Sequence, residues 1–284
     1  MKKDFSNIFI ETIKDINKNG SESQPRDLKV KERFFSNLTI NPTMPIAHFR
    51  ARPFNWKYFA GELAWYLKRD NNINYINHFS KFWSNITNPG TNEINSNYGS
   101  LVIGEQLEWV IKSLRSDKST RQAIAFFNRP QFQFEGNKDF VCTMYANFFI
   151  RNNKLHMKVQ MRSNDIFYGL TFDAPFFAFL HQSVYHCLTD LYPNLKLGNY
   201  HHFADNIHFY ERHFDLAEKI VSSTAKNRIY SLTLKRPFIC WENDEIKYTD
   251  TVKDYIEDID SVIGQNLKQD SYKNILSNYF LLNK

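Results

Sequence analysis

Cysteine is scarce in this sequence, and the few cysteines present are not arranged in pairs. The 284 residues contain three, an odd number, and no two of them have the spacing of metal ligands. This argues against a disulfide framework and for a reducing compartment, so a cytoplasmic location is expected (the host cytoplasm if a phage encodes the chain). A His-Glu-x-x-His motif is also missing, and we therefore expect no metal cofactor.

Long apolar runs are absent as well. No stretch of about 18 apolar residues indicates a membrane span, and the first twenty residues lack the apolar centre of a signal peptide. Residues 1–24 are instead predicted to form a short helical segment, its amphipathic helix ended by Gly20. No repeat and no Gly/Ser-rich or Pro-rich linker follows. Residues 25–284 are therefore predicted to be a single domain, with a helical extension from about residue 245, and no contact with a membrane is expected.

The positive charge of the chain is not gathered into a block. The formal net charge is +6 and the isoelectric point is near 9.0, but Lys and Arg are scattered. This balance favours an anionic partner, and it suits a phosphate-bearing small substrate as well as a nucleic acid. An RNP-type motif and a compact basic stripe are both missing, so nucleic-acid binding is the weaker alternative and no nucleic-acid partner is expected.

The patterns that are present predict an α+β fold. Hydrophobic residues make up 42% of the chain and charged residues 23%, as in globular proteins, and the 16% aromatic content predicts a core built on rings. Asp173 is predicted to be the N-cap of a helix that has Pro175 in its first turn. Apolar periodicity predicts the remaining elements: helices at 57–69, 251–264 and 272–282, a loop at 85–97, and strands at 123–128, 144–150 and 155–161.

Cys142 is the candidate nucleophile. An isolated cysteine in a strand-rich region is more often a small buried hydrophobe, and Cys187 and Cys240 keep that interpretation because each lies in an apolar run. Cys142 instead follows the polar stretch at 135–139, and the cluster MRSND at 161–165 lies one hairpin later. An arginine near a cysteine can both bind phosphate and favour the thiolate.

Five short motifs carry a family resemblance. They are GELAWYL at 61–67, INSNYG at 94–99, DFVCT at 139–143, MRSND with IFYGLTFD at 161–173, and IHFY at 207–210. In this order and at this spacing the chain resembles the thymidylate synthases and their relatives over roughly residues 25–215. The forms EINSNYG, NKDFVCT and MRSND resemble the deoxycytidylate hydroxymethylases of T-even phages. The resemblance implies a thymidylate-synthase-like fold, with a mixed sheet flanked by helices and sheets packing across a homodimer.

The chemistry of that family explains the residue types. The resemblance implies that the Cys142 thiolate adds to C6 of a pyrimidine nucleotide, which makes C5 nucleophilic towards the methylene of 5,10-methylenetetrahydrofolate. Glu62 matches the carboxylate that organises proton transfer, although a Glu on a helix is ordinarily a surface residue. Tyr98 matches a tyrosine beside the nucleophile, with a packed ring in a loop as its alternative.

The resemblance also implies binding residues. Relatives usually have two adjacent arginines where this chain has Arg121-Gln122, so one phosphate contact is expected to be weaker or rearranged. The matched positions are Arg26, Arg162 and Ser163 for the phosphate, Arg121 for the phosphate of the partner subunit, His208 and Tyr210 for the sugar, and Trp83, Asp165 and Gly169 for the folate.

Asp173 matches the position that reads the base. Uracil-specific relatives carry Asn here, whereas the cytosine-acting branch carries Asp. A carboxylate accepts a hydrogen bond from the cytosine 4-amino group and can share a proton with N3, but an ionised one repels O4 of uracil. The alternative is that Asp173 only caps its helix. Asn caps about equally well, so capping does not explain the choice between them.

The C-terminus and one loop predict whether the transferred carbon finally reacts with water or is reduced to a methyl group. Methylating enzymes of the family close with a short apolar tail, commonly Pro-Val-Ala-Ile, whereas this chain ends in SNYFLLNK after a divergent extension, and its loop NEINSNYG is more polar. Both features favour water as the acceptor, giving 5-hydroxymethyl-dCMP or -CMP and tetrahydrofolate. The alternatives are a methylase of dCMP or dUMP that forms dihydrofolate, and a silent nucleotide binder. Intact Cys142, Glu62 and Arg162 argue against a silent nucleotide binder.

Overall fold

Eight α-helices and eleven strands occur in the parts of the chain that the computed structural model describes, residues 4–87, 90–225 and 227–282. The helices are α1 Phe5–Asn19, α2 Trp56–Lys68, α3 Tyr98–Val102, α4 Glu105–Ser116, α5 Thr171–His186, α6 Phe214–Ser222, α7 Asp250–Asp260 and α8 Gln269–Tyr279. The strands are β1 Ser21–Ser23, β2 Val30–Ile40, β3 Ile124–Phe126, β4 Thr143–Arg151, β5 Lys154–Met161, β6 Asn164–Asp165, β7 Lys196–Tyr210, β8 Thr233–Leu234, β9 Ile239–Glu242, β10 Glu245–Tyr248 and β11 Phe280–Leu281.

A mixed sheet forms the centre of the fold. Its order is β1-β2-β7-β5-β4-β3, and the short β6 pairs beside β7. β5 and β6 run parallel to β7, while the other neighbours are antiparallel. A parallel pair needs a crossover connection, and α5 lies within the connection from β5 to β7. The predicted mixed sheet flanked by helices is confirmed, whereas its packing across a homodimer stays a prediction.

Helix α5 is buried along nearly its whole length, from Thr171 to Val184. A helix with little polar surface must be covered on all sides, and α5 packs on β5 and β7 of the sheet and against β8 and β9. Its rings also contact Tyr66 of α2, Phe127 just after β3, and Phe238 just before β9. The predicted ring-based core is therefore confirmed.

The two chain ends fold onto this core. Asp4 caps α1 by accepting from the N–H of Asn7 at 3.0 Å, and the N–H of Gly20 ends the helix on Ile16 O at 2.9 Å. The predicted helix ending at Gly20 is confirmed. Its apolar face, Phe5, Phe9, Ile13 and Ile16, belongs to the same buried cluster as the sheet. The division of the chain at residue 24 stays a prediction.

The C-terminal helices pack against α2. The hydroxyl of Tyr255 on α7 donates to Ala60 O at 2.9 Å, and the hydroxyl of Tyr248 donates to Leu67 O at 2.9 Å. Lys68 at the end of α2 forms an ion pair of 2.8 Å with Asp260. The extension from about residue 245 therefore positions the helix that carries Glu62.

The predicted role of Asp173 as an N-cap is wrong. α5 begins at Thr171 and continues directly from a turn of π-helix at Ile166–Leu170, so Asp173 is the third residue of the helix. The start of this continuous turn is capped by Asp165, whose Oδ1 accepts from the N–H groups of Phe167 and Tyr168 at 2.6 and 2.8 Å. The side chain of Asp173 is thereby left available for another partner.

The predicted position of Pro175 is also corrected. Pro175 lies inside α5 rather than in its first turn, because the π-turn adds helical residues before it. The missing N–H of a proline then falls beside the carbonyl of Thr171.

The remaining predicted elements agree with the structure apart from their ends. α2, β3, β4 and β5 lie where a helix and three strands were predicted. The predicted helix at 251–264 ends earlier, at Asp260, and the chain turns at Gly264 with φ of 80°. Of the predicted loop at 85–97, residues 88–89 lie outside the described residues. Among the residues described, no helix is both long enough and apolar enough to cross a membrane.

Candidate active site

Cys142 lies half-buried at the entry to β4, beside Arg162. The Arg162 N–H donates to Cys142 O at 2.9 Å, and its Nη2 lies 3.5 Å from Sγ of Cys142. The guanidinium also donates to the carbonyls of Val141 and Phe140. Burial raises the pKa of the Cys142 thiol, and the charges of Arg162 and Arg26 act in the opposite direction. The two arginines are therefore the groups that favour the thiolate.

The polar loop at 94–98 is fixed to the segment that carries Cys142. The buried carboxylate of Asp139 accepts from the N–H groups of Asn95 and Ser96 at 2.6 and 2.7 Å, and from the Ser96 hydroxyl. Burial raises the pKa of Asp139, while these hydrogen bonds lower it. These contacts hold the loop against the segment that leads into Cys142.

Tyr98 lies next to Cys142, the position that the resemblance implied for it. It starts α3 at the end of the same loop, and its hydroxyl accepts from Oγ1 of Thr143, the residue after Cys142, at 2.9 Å. The ring also stacks on Tyr66, with centroids 5.4 Å apart and planes 16° from parallel. Tyr98 is therefore both a packed ring and a neighbour of Cys142, so its two interpretations hold together.

Glu62 is buried and hydrogen bonded, so it is not the ordinary surface Glu of the alternative interpretation. Its Oε1 accepts from the hydroxyls of Tyr58 at 2.6 Å and Tyr66 at 3.3 Å. Burial raises the pKa of Glu62 to about 8, and the nearby charge of Asp173 adds to this. Trp83 Nε1 extends the group by donating to Tyr58 OH at 3.2 Å. A carboxyl with this pKa can take up or release a proton near neutral pH.

Asp173 lies at the end of a chain of buried hydrogen bonds. Its Oδ2 accepts from Asn164 Nδ2 at 2.7 Å, and Asn164 Oδ1 lies 3.0 Å from His202 Nε2. His202 Nδ1 lies 2.6 Å from the hydroxyl of Tyr200. Burial raises the pKa of Asp173 to about 6, and the hydrogen bond from Asn164 lowers it.

Gly169 passes close to this pair of side chains. A Cβ at Gly169 would lie 2.7 Å from Asn164 Nδ2 and 3.1 Å from Asp173 Oδ2. Both distances are shorter than ordinary van der Waals contacts, so a larger residue would displace the Asn164–Asp173 hydrogen bond.

Asp165 has one carboxylate oxygen that fits a ligand. Oδ1 caps the helical turn, whereas Oδ2 is buried and has no hydrogen-bond partner among the described residues. Burial raises the pKa of this carboxyl to about 6. A buried acceptor without a partner is costly unless a ligand satisfies it. Oδ2 of Asp165 is therefore suited to accept from the N–H groups of a ligand, and its contact with a pterin stays a prediction.

His208 and Tyr210 lie on the same side of β7. Their ring centroids are 5.3 Å apart, and the register places Asp165 of β6 opposite His208. Burial lowers the pKa of His208 to about 4, so its ring is neutral and can accept or donate a hydrogen bond. The guanidinium of Arg212 lies 4.4 Å from the centre of the Tyr210 ring.

The residues expected at the phosphate are only partly brought together. Arg26 is exposed, in a turn with left-handed φ of 52°, and its charge acts on Cys142 and Tyr210. Ser163 follows Arg162 and is half-buried. Arg121 is exposed and has no hydrogen bond or ion pair to any residue that the structure describes. Its role at the phosphate of a partner subunit stays a prediction.

Several residues of this site received no role from the sequence. Tyr58 and Tyr66 lie four residues before and after Glu62, a spacing that places them on one helix face and could have revealed them. Asn164 lies inside the MRSND motif. His202 gives no local signal, because it lies on β7, opposite Val159 of β5, and meets Asn164 only in the folded sheet.

No three His, Cys, Asp or Glu side chains among the described residues lie close enough together to hold a metal ion. A cavity of about 560 Å³ opens between α1 and β2, lined by residues that include Thr12, Phe35 and Asn199. It shares no residue with the group around Cys142, where the chemically suited side chains lie.

The thymidylate synthase family model matches residues 7–261 of the chain. The chain belongs to the thymidylate synthase family. The resemblance inferred from the motifs is thereby confirmed. The family uses methylenetetrahydrofolate as co-substrate and acts on pyrimidine nucleoside monophosphates, so this family member is a folate-dependent transferase acting on pyrimidine C5.

Similar proteins in this family differ in base and product. Deoxycytidylate 5-hydroxymethyltransferase of Enterobacteria phage T4 is 30% identical over 175 residues, which cover 58% of this chain and 71% of that protein. Deoxyuridylate hydroxymethyltransferase of Bacillus phage SP01 is 24% identical over 290 aligned positions, 96% of this chain and 71% of that protein. Thymidylate synthase of Buchnera aphidicola (strain APS) is 26% identical over 192 residues, 62% of this chain and 68% of that protein.

Proposed function

We propose that this member of the thymidylate synthase family converts a cytosine nucleotide, dCMP or CMP, to its 5-hydroxymethyl derivative in the cytoplasm. The reaction takes one methylene group from 5,10-methylenetetrahydrofolate and one molecule of water, and it releases tetrahydrofolate. No oxidant or reductant is needed, because the carbon is transferred at the oxidation level of formaldehyde.

The observation that carries this proposal is Asp173 with its hydrogen bond from Asn164. An amide N–H pointing at the carboxyl makes Asp173 a hydrogen-bond acceptor in the site. Cytosine offers a 4-amino donor and an unprotonated N3, and a carboxyl with a pKa of about 6 can share a proton with N3 near neutral pH. Uracil would place O4 against the carboxylate lone pairs.

The side chains then have distinct tasks in the reaction. The Cys142 thiolate adds to C6, and the proton shared between Asp173 and N3 neutralises the charge that this addition sends into the ring. The folate supplies the methylene that C5 takes up. Glu62, with Tyr58 and Tyr66, removes the C5 proton through water as tetrahydrofolate leaves, and orients the water that adds to the exocyclic methylene. This addition returns an electron pair to the ring, so the C6–S bond breaks and the Cys142 thiolate is released.

Binding is assigned to the groups around these residues. Arg26, Arg162 and Ser163 bind the phosphate, His208 and Tyr210 bind the sugar, and Asp165, Gly169 and Trp83 bind the folate. Arg121 is proposed to complete the phosphate site of a second copy. The half-buried rings of Tyr145, Phe149 and Phe203 alternate with the core residues of their strands and are the proposed dimer surface.

Two alternatives have support from the comparisons. Similarity to the deoxyuridylate hydroxymethyltransferase extends over 96% of the chain and favours dUMP as the substrate. The similarity to a thymidylate synthase favours a methyl product. Asp173 argues against the first alternative, and the polar loop fixed by Asp139 argues against the second.

One assay distinguishes the proposed reaction from both alternatives. Purified protein is incubated with methylenetetrahydrofolate and dCMP, CMP or dUMP, the nucleotide product is weighed by mass spectrometry, and dihydrofolate is followed by its absorbance. A hydroxymethyl product from dCMP or CMP without dihydrofolate is expected. A methyl product, or turnover of dUMP alone, contradicts the proposal.

A further inference from the structure

Four buried or half-buried side chains form a continuous hydrogen-bonded relay that ends at the base-reading residue. Its members in order are Tyr200, His202, Asn164 and Asp173, with donor–acceptor distances of 2.6, 3.0 and 2.7 Å. Tyr200 and His202 are fully buried, and Asn164 is 3% exposed. Only Asp173 can meet a substrate directly, so the other three can act only through it.

The relay has a direction, and Tyr200 sets it. Burial lowers the pKa of His202 to about 3, so its ring is neutral and carries one N–H and one lone pair. Among the described residues, the Tyr200 hydroxyl has its one hydrogen bond with His202. If the hydroxyl donates to Nδ1, the imidazole proton is on Nε2 and donates to Asn164 Oδ1. If the direction is reversed, the hydroxyl proton is left unpaired in the core, which is strongly unfavourable.

The direction of the hydrogen bonds through His202 also fixes the orientation of the Asn164 amide. With Oδ1 held by His202 Nε2–H, the NH₂ group must point at Asp173 and donate to it. In the reverse arrangement Oδ1 would face Asp173, and two acceptors would repel unless Asp173 held a proton. The orientation of the Asn164 amide therefore decides whether Asp173 accepts a hydrogen bond from Asn164 or holds a proton against it.

We propose that Tyr200 and His202 are positioning residues that set the base preference, by holding the Asn164 amide with its NH₂ group towards Asp173. The inference rests on the proposed cytosine function. A carboxyl kept as an acceptor suits the 4-amino group of cytosine. A carboxyl whose proton is held against Asn164 Oδ1 cannot share that proton with N3 of cytosine, and its remaining lone pairs can accept from N3–H of uracil.

The decisive experiment compares His202→Gln with His202→Leu. A Gln amide supplies one acceptor and one donor, as the neutral imidazole does, whereas Leu supplies neither. The measured quantity is the ratio of kcat/KM for dCMP to kcat/KM for dUMP, with methylenetetrahydrofolate saturating. We expect His202→Leu to lower the ratio about tenfold, the scale of one buried hydrogen bond, and His202→Gln to retain it within about twofold.

Tyr200→Phe keeps the core filled and removes only the hydroxyl, so it serves if the Leu variant does not fold. We expect Tyr200→Phe also to lower the ratio of kcat/KM for dCMP to kcat/KM for dUMP. Tyr255→Phe is the matched control, because Tyr255 is also fully buried and its hydroxyl makes one hydrogen bond, to Ala60 O at 2.9 Å. It should lose similar stability and leave the ratio unchanged.

A second readout needs no turnover. The ¹⁵N chemical shifts of the His202 imidazole distinguish the Nε2–H from the Nδ1–H tautomer. We expect Nε2–H in the wild type and a mixture of tautomers in Tyr200→Phe. A wild-type Nδ1–H tautomer overturns the relay, and so does a His202→Leu variant in which both kcat/KM values fall by the same factor. A wild type that prefers dUMP contradicts the cytosine function instead, and the tautomer still decides the relay.

Discussion

The hydroxyl of Tyr58 donates a hydrogen bond of 2.6 Å to Oε1 of Glu62, one helical turn away on the same face of α2. This contact and the one from Tyr66 keep a carboxyl hydrogen bonded in a place where its charge is poorly solvated, and Trp83 holds Tyr58 by donating to its hydroxyl. The pKa of Glu62 is about 8 as a result of burial. The same burial that costs stability gives the protein a proton donor and acceptor near neutral pH.

The first prediction concerns stability against pH. An unfolded Glu loses its proton near pH 4.5, while folded Glu62 keeps it up to about pH 8. Between these values the folded state binds the extra proton, so its free energy of unfolding falls as pH rises, by up to about 1.4 kcal/mol per pH unit. Glu62→Gln should lack this fall. Denaturant unfolding from pH 5 to pH 9 measures the free energy of unfolding of both proteins. If that free energy depends on pH in the same way in the wild type and in Glu62→Gln, the raised pKa of Glu62 is contradicted.

The second prediction concerns the nucleophile. Cys142→Ser should lower turnover by at least about a thousandfold, because a serine hydroxyl at this site is not ionised. Nucleotide binding, measured by calorimetry, should persist. Cys240→Ser is the control, since Cys240 is also half-buried and its Sγ donates to the carbonyl of Lys247, away from Cys142 and Arg162. Turnover retained in Cys142→Ser removes Cys142 from the mechanism.

The third prediction concerns the base. Asp173→Asn should shift the kcat/KM ratio from dCMP towards dUMP by about ten- to a hundredfold, because an amide can donate to O4. Asp165→Asn changes a neighbouring carboxyl and is the matched control. It should raise KM for the folate and leave the base ratio alone. An unchanged ratio in Asp173→Asn would leave that residue without a role in reading the base.

The fourth prediction concerns the loop beside Cys142. Asp139→Asn replaces an oxygen that accepts from Asn95 and Ser96 by an NH₂ group. We expect a loss of about 1–3 kcal/mol in the free energy of unfolding and a lower kcat, because Tyr98 follows the same loop. A variant as stable and as active as the wild type shows that the loop is held by other contacts.

The fifth prediction concerns the second copy. If Arg121 completes the phosphate site of the partner subunit, Arg121→Ala and Cys142→Ser should each be inactive as separate proteins. In a mixed dimer, one of the two sites joins an intact Cys142 with an intact Arg121. Mixing the variants under conditions of subunit exchange should therefore restore part of the activity. No recovery, with exchange confirmed by native mass spectrometry, contradicts a shared site.

The sequence predicted the parts of the site whose signal is local. Cys142, Glu62 and the MRSND segment lie in short motifs, and α2 follows from apolar spacing alone. Asp173 was placed at the wrong position of its helix, because the capping role fell to Asp165 through a π-turn that has no pattern in the sequence. His202 and Tyr200, which continue the hydrogen bonds from Asn164, were not predictable for a different reason. They approach because β7 packs beside β5 and β6, an arrangement that is set by the whole sheet.

The packing of α7 and α8 on α2 has a consequence for biosynthesis. Tyr248, Tyr255 and Asp260 reach back over roughly 190 residues of chain to hold the helix that carries Glu62. While the ribosome is still adding the central strands, that helix lacks the side chains that cover it. The covering of α2 on this side therefore forms only after residues 248–260 have been added, and a nascent chain can contain Cys142 before the helix that carries Glu62 is covered.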